Sequence, residues 1–279
     1  MRPETIDKVG EETGRGANED GRSGGRPRVL VIAGFDQSGG AGVLADVKTL
    51  EAHGVYGYAV CTALTFQNER VVTRVDWLKE EDVLEQIDLC FRSGVFEFVK
   101  MGITPSLAAA GSIIRHLRQH NPEIKIVMDP VIRSSSGTEF WRAPASSEFE
   151  EIASMVYMVT PNWEEIGCLY PGERVLVRCQ DLSLSTGAYV YLKGGHDPLH
   201  PGRDYLAGRG EIEVLEPLVD PSRVSPKHGS GCVLASSLTA ELALGQDPVR
   251  AAIKAKRYTE QFLTSNTTLL GWHRPILGK

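Results

Sequence analysis

The sequence contains no apolar run near the ~20 residues that a bilayer-spanning helix needs, so no membrane segment is predicted. The N-terminus lacks an apolar core, which argues against a secretory leader. The five cysteines, Cys61, Cys90, Cys168, Cys179 and Cys232, form neither a CxxC pair nor a zinc-type spacing. An odd number of scattered thiols fits a reducing, cytoplasmic setting. Basic residues are not in excess: 30 Lys and Arg stand against 36 Asp and Glu, a formal charge of −6. That balance excludes a general nucleic-acid binder. What is present is 279 residues, 42% hydrophobic and 24% charged. Such a chain buries a large core, which excludes a fibrous rod or disorder throughout.

Residues 1–26 are rich in Gly, Glu, Asp and Arg and nearly free of large apolar side chains. They are expected to form a disordered tail, because they bury too little surface to offset their ordering entropy. Residues 27–279 read as one domain. Short β-rich runs at Val29–Ala33, Tyr58–Leu64, Phe96–Met101, Ile124–Met128, Met155–Thr160 and Tyr189–Leu192 alternate with segments of helical spacing. The helical segments centre on Val43–Leu50, Val83–Phe91, Leu107–Leu117, Gly231–Leu244 and Pro248–Leu263. A turn at Gly208–Gly210 between Tyr205–Leu206 and Ile212–Leu215 predicts a hairpin. The stretch Leu169–Ala188 has no clear assignment. This alternation predicts an α/β fold with a mostly parallel central sheet and helices on both faces.

In such a sheet, ligands bind beyond the carboxyl ends of the strands, and the polar and glycine-rich segments fall there. Gly34–Gly42 allows either a close ligand approach or a tight turn; it fits GxGxxG poorly. Pro226–Cys232 opens a long helix with Gly229 and Gly231, baring amides at the positive end of a helix dipole. No GxxxxGK[ST] is present, so this is not a Walker loop. Cys232 sits in the first turn, where a thiol's pKa is expected to fall; a small buried core residue is the other reading. Asn162 and Glu165 form either a capping box or part of a Mg²⁺ site. Lys193, before Gly194 and Gly195, suits a phosphate or a simple turn. Asp129, before Pro130, suits Mg²⁺ or a cap. The Gln67 carboxamide can pair with a heterocycle edge or lie in an ordinary loop.

Together these segments resemble the hydroxymethylpyrimidine/phosphomethylpyrimidine kinases of the ribokinase-like superfamily. The resemblance rests on AGFDQSGGAGVLADVKTLEAHGVYGYAVCTALTFQN (33–68), VKMGI (99–103), MDPVI (128–132), VTPNWEEI (159–166), LKGGH (192–196) and HGSGCVLASSLTAELALG (228–245). It implies a three-layer ribokinase-like fold and a cytoplasmic homodimer. The implied reaction is ATP- and Mg²⁺-dependent phosphorylation of 4-amino-5-hydroxymethyl-2-methylpyrimidine, then of its monophosphate. By resemblance, Gly34, Asp36, Asp46, Gln67 and Ile103 meet the pyrimidine. Asp129 and Glu165 meet Mg²⁺; Asn162, Glu165, Lys193 and Gly195 meet the nucleotide. Gly229 and Gly231 form an anion hole, and Cys232 stands where sugar kinases carry an aspartate base. The chain departs from the family pattern in having Ser135 for a usual lysine, with Arg133 as a substitute, and Ile103 for a usual methionine. Pyridoxal/pyridoxine kinase is the rival on the same scaffold, and Gln67 favours the aminopyrimidine. A non-catalytic vitamer-binding protein is the rival of another class.

Overall fold

The computed structural model describes residues 25–134, 137–141, 146–172, 174–197 and 199–276. Among them, nine strands form one sheet: β1 Arg28–Asp36, β2 Tyr56–Gln67, β3 Val72–Trp77, β4 Phe98–Met101, β5 Lys125–Met128, β6 Met158–Val159, β7 Tyr189–Leu192, β8 Asp204–Gly208 and β9 Glu211–Leu215. Their order is β3-β2-β1-β4-β5-β6-β7-β8-β9. From β2 through β7 neighbouring strands are parallel; β3, β8 and β9 join antiparallel at the two edges. The helices are α1 Gly42–Ala52, α2 Glu80–Arg92, α3 Leu107–His120, α4 Ser146–Ser154, α5 Trp163–Leu169, α6 Val175–Thr186, α7 Ser230–Ala243 and α8 Pro248–Leu263.

Strand periodicity sorts the helices into two layers. On β1, Val29, Val31 and Ala33 pack with α1, α7 and α8, whereas Leu30 and Ile32 pack with α2 to α6. The central strands are buried on both faces, which is why they read as continuous apolar runs. After β1 and β2 the chain turns out to edge strand β3, then returns to place β4 on the other side of β1. The switch point therefore lies between β1 and β4, and a crevice opens beyond their carboxyl ends.

Several boundaries differ from expectation. Strand β3 is absent from the sequence reading because Val72–Trp77 is a half-exposed edge with charged residues between its apolar ones. Leu169–Ala188, a stretch without a clear assignment by sequence, contains the 12-residue α6. Its buried stripe is narrow, Cys179, Leu182 and Ser183, so the periodicity is weak; Gly187 ends it in the left-handed region (φ 77°). Arg26, assigned to the tail, is held by the folded chain: it donates to the Gly54 and Val55 carbonyls and pairs with Glu51 at 2.9 Å. The rest of the expected tail, residues 1–24, lies outside the described residues.

One charged pair sits in the core between sheet and helices. Lys100 on β4 and Asp46 on α1 are both fully buried, Nζ to Oδ2 at 2.8 Å. Ser236 on α7 donates to the other Asp46 oxygen at 2.7 Å. Burial works to lower the Lys100 pKa, but the Asp46 and Asp129 carboxylates outweigh it and hold the ammonium charged. Removing one partner of such a pair leaves an uncompensated buried charge. Lys100→Met is therefore expected to destabilise the fold by ~3–5 kcal/mol in urea unfolding, and Lys100→Met with Asp46→Leu by less than that single change. A double variant less stable than Lys100→Met would overturn this reading.

Candidate active site

The loop leaving β1 is organised by one carboxylate. Asp36 Oδ1 accepts the Ser38 amide at 2.9 Å; Oδ2 accepts the Ser38 hydroxyl at 2.8 Å and the Ala41 amide at 2.9 Å. Oδ2 also lies 2.8 Å from His228 Nε2, across 192 residues of chain. Burial raises the Asp36 pKa, but the bonds from His228 and Ser38 outweigh it and leave it below the ordinary value. Two close approaches lock the loop in place. A side chain at Gly42 would overlap the Gly34 carbonyl, and one at Gly229 (φ 76°) would overlap the Gly40 carbonyl. The loop 36–42 and the turn 226–232 thus stand back to back.

The resemblance puts Asp36 and Asp46 at the substrate; in the structure both carboxylates are buried and bonded to the protein. All the Asp36 bonds just described go to the protein, so it holds the loop and fastens it to the α7 entry. Asp46 has no exposure at all and faces Lys100 and Ser236 beneath the site, so its role is positional. Gly34 lies directly against the Ile103 side chain, close to Thr65, and Gln67 ends β2 nearby with no hydrogen-bond partner for its carboxamide among the described residues.

The second half of the crevice carries charge. Lys193 Nζ donates to Asp129 Oδ1 at 2.8 Å and lies 3.3 Å from Glu165 Oε2. Thr160 donates to the same Asp129 oxygen at 3.1 Å. A Cβ at Gly231 would come within 3.4 Å of both Asp129 Oδ2 and Lys193 Nζ, so the first turn of α7 faces this trio. Asn162 and Glu165 form a complete capping box: Asn162 Oδ1 accepts the Glu165 amide at 2.8 Å, and Glu165 Oε2 accepts the Asn162 amide at 2.7 Å. The Asn162 carboxamide oxygen is thereby engaged in capping, whereas Glu165 both caps α5 and meets Lys193. Burial, reinforced by Asp129, raises the Glu165 pKa against the opposing pull of Lys193.

Cys232 departs from the expected chemistry. Burial pushes its thiol up to about 11; the Lys100 ammonium and the Gly42 amide pull it down, but Asp46 and Asp129 oppose them. The helix-start effect thus loses to desolvation, and the thiol carries its proton at neutral pH.

Beside the trio lies a groove of about 260 Å³, with Lys193, Gly195 and Gly231 at one end and Pro217, Val219, Val224 and Leu263 along its walls. Its floor is an ionic network. Asp204 accepts the Gly194 amide at 2.6 Å, the Tyr191 hydroxyl at 2.7 Å and Lys256 Nζ at 3.1 Å. Glu260 meets Lys256 at 3.1 Å and accepts the Leu218 amide at 2.9 Å. Sequence reasoning missed this groove, because its walls come from loops and from α8 that lie far apart in the chain. It also missed His228 and Lys100. Lys100 carried a signal, a lone cation inside the apolar run Phe98–Met101; a charge there demands a buried partner.

Glycine-tight loops at the switch point of the parallel sheet thus face a helix start and a lysine–carboxylate trio across one crevice. A family profile described as phosphomethylpyrimidine kinase matches residues 36–277. A hydroxymethylpyrimidine/phosphomethylpyrimidine kinase of Rhizobium meliloti is 35% identical over 238 residues, covering 82% of this chain and 87% of that one. A chloroplastic thiamine biosynthetic bifunctional enzyme of Arabidopsis thaliana is 33% identical over 85% of this chain, which spans only 46% of the plant protein. Among solved structures, the phosphomethylpyrimidine kinase of Clostridium difficile superimposes with a TM-score of 0.70 at 30% identity, covering 84% of this chain and 98% of that one. A Staphylococcus aureus pyridoxal kinase in complex with AMP-PCP and pyridoxal gives 0.75 at 25% identity, covering 88% and 92%. The chain belongs to the phosphomethylpyrimidine kinase family.

Two measurements follow from the site's electrostatics. The folded Asp36 pKa is depressed, so its stabilisation is present above the unfolded value of ~3.9 and is lost as pH falls through the folded value. His228→Gln is expected to flatten that acid-side loss in melting temperature measured between pH 3 and 6; an unchanged profile would contradict the linkage. Alkylation mapped by mass at pH 8 is expected to mark the exposed Cys168 first and Cys232 only in strongly alkaline buffer. Early labelling of Cys232 would mean that its thiol is not held protonated.

Proposed function

We propose that this protein phosphorylates the hydroxymethyl group of 4-amino-5-hydroxymethyl-2-methylpyrimidine, and then its monophosphate, using ATP and Mg²⁺ in thiamin biosynthesis or salvage. The observation that carries the reading is the convergence of Asp129, Lys193 and the Gly231 turn on one point beside an apolar groove. The groove takes the nucleoside, with apolar walls for a base and Lys193 at the phosphate end. Gly34, Ile103 and Gln67 line the acceptor side, where the free carboxamide of Gln67 presents an acceptor and two donors to an aminopyrimidine.

Mg²⁺ fits the donors present, since Asp129 keeps Oδ2 facing Gly231 while Oδ1 is taken by Lys193 and Thr160. Asp129 and Glu165 would hold it, and when bound it neutralises charge on the phosphates. The protein's own contribution is placement and charge. Lys193 and the amides from Gly229 to Cys232 stabilise the transferred group, and the loop 36–42 orients the acceptor. Cys232 lies at the Gly229–Gly231 turn with its thiol protonated at neutral pH, so only its minor thiolate form can accept the proton of the acceptor hydroxyl. A homodimer belongs to the same proposal; Leu64 and Phe66 on β2 and Val71 beside β3 expose apolar surface for it.

A pyridoxal kinase is the second reading, favoured by the superposition on the pyridoxal-bound Staphylococcus aureus enzyme. Ser135 lies outside the described residues. Arg133, its suggested substitute, is engaged with Glu139 at 2.8 Å and exposed, so holding a second phosphate would require it to leave that partner.

The test is ATP consumption with the hydroxymethylpyrimidine, its monophosphate, pyridoxal and pyridoxine, with products resolved by mass. Turnover of both pyrimidines is expected, and preference for either B6 vitamer would replace this reading by the second. Cys232→Ala is expected to lower kcat by ~10²-fold or more if the Cys232 thiolate takes the acceptor proton. Near-normal turnover in that variant would remove the thiol from the chemistry.

A further inference from the structure

On the helical layer that does not contain α7, two histidines and a carboxylate converge away from the crevice. His116 and His120 are four residues apart on α3, which puts both rings on one helix face. Asp88 stands opposite on α2. The Nε2 atoms of both histidines lie 2.7 Å from the same oxygen, Asp88 Oδ1. The two rings meet edge to face, with centroids 5.2 Å apart and planes at 79°. His120 is further fixed by stacking on Phe91 at 4.4 Å, nearly parallel. One turn back, Ser112 on α3 donates to Glu80 on α2. The helices are thus already registered where the three donors meet.

Among the described residues this is the one group of three His, Cys, Asp or Glu donors whose ligand atoms all lie within 4.8 Å of one another. From this juxtaposition we infer a transition-metal site, with His116, His120 and Asp88 as ligands and Zn²⁺ as the ion of best-matched chemistry. Two imidazoles and one carboxylate are a borderline donor set that suits Zn²⁺ and leaves a fourth position for water. The HxxxH spacing on a helix presents two nitrogens to one ion. A tetrahedral ion with bonds of about 2.0–2.1 Å holds its donors about 3.3 Å apart, so the two 2.7 Å contacts to Asp88 would open by about 0.6 Å. The three side chains are partly exposed, at 20%, 29% and 42%, which leaves the ion an entry path. Because the ligands come from two helices, the ion clips α2 to α3 and stabilises the folded state by mass action. It takes no part in phosphoryl transfer.

The test uses the full chain with ZnCl₂, with ATP and Mg²⁺ omitted. Equilibrium dialysis is expected to show one more equivalent of bound Zn²⁺ in the wild type than in His116→Gln/His120→Gln, and affinity at least about tenfold weaker in Asp88→Asn. Melting temperature is expected to rise with Zn²⁺ in the wild type and not in the double variant. Co²⁺ is expected to give visible absorption bands that the variants lack. Retained kinase turnover with Mg²⁺ in each variant checks that it is folded; if the double variant fails, Asp88→Asn, altered at the most exposed ligand, carries the comparison. Equal Zn²⁺ binding in wild type and variants, or no Zn²⁺-dependent rise in the wild type, would overturn the inference.

Discussion

The Asp46–Lys100 pair is the constraint on which the rest of the crevice depends. It joins β4 to α1 and, through Ser236, to α7. These elements carry the two halves of the crevice: α1 follows the loop of Asp36, and α7 begins with the Gly229–Gly231 turn. A salt bridge without exposure adds little net stability over a well-packed apolar core. Here it does something apolar packing does not: it places a fixed positive charge under Cys232 and Asp129. The backbone approaches at Gly42 and Gly229 are the steric counterpart of the same constraint.

Charge at the crevice is arranged as a set of competing demands. Lys193 stands between Asp129 and Glu165 and is shared by the two carboxylates. In the proposed reaction, phosphate and metal would offer each of these groups another partner, the lysine an anion and the carboxylates a cation. The Asp204–Lys256–Glu260 network does for the groove what Asp46–Lys100 does for the crevice: it ties Gly194 and Leu218 to α8 and so shapes the floor.

Asn162 and Glu165 illustrate how structural and chemical tasks share residues. The capping box that starts α5 is complete, and the same Glu165 oxygen that caps also approaches Lys193. Spacing alone could not separate these tasks, because both require an acidic residue three positions after a capping residue. His228 shows the reverse case. It reads as an ordinary residue before a glycine turn, and only the folded chain reveals it as the link that locks the Asp36 loop to α7.

By itself the sequence determined the layered α/β architecture, because buried strands and amphipathic helices are local patterns of period 2 and 3.6. It also marked the strand-end segments that line the crevice, and its motifs pointed to the kinase family that the comparisons establish. The edge strand β3 and helix α6 escaped it, since exposed or narrowly buried elements carry weak periodicity. Tertiary structure alone decided what the charged residues do. It buried Asp46 with Lys100, gave Asp36 to His228, raised the Cys232 thiol, built the groove, and brought His116 and His120 to Asp88. The physical reason is that a side chain's pKa and partners depend on desolvation and on charges within a few ångströms. Those distances are set by folding across tens to hundreds of residues of chain.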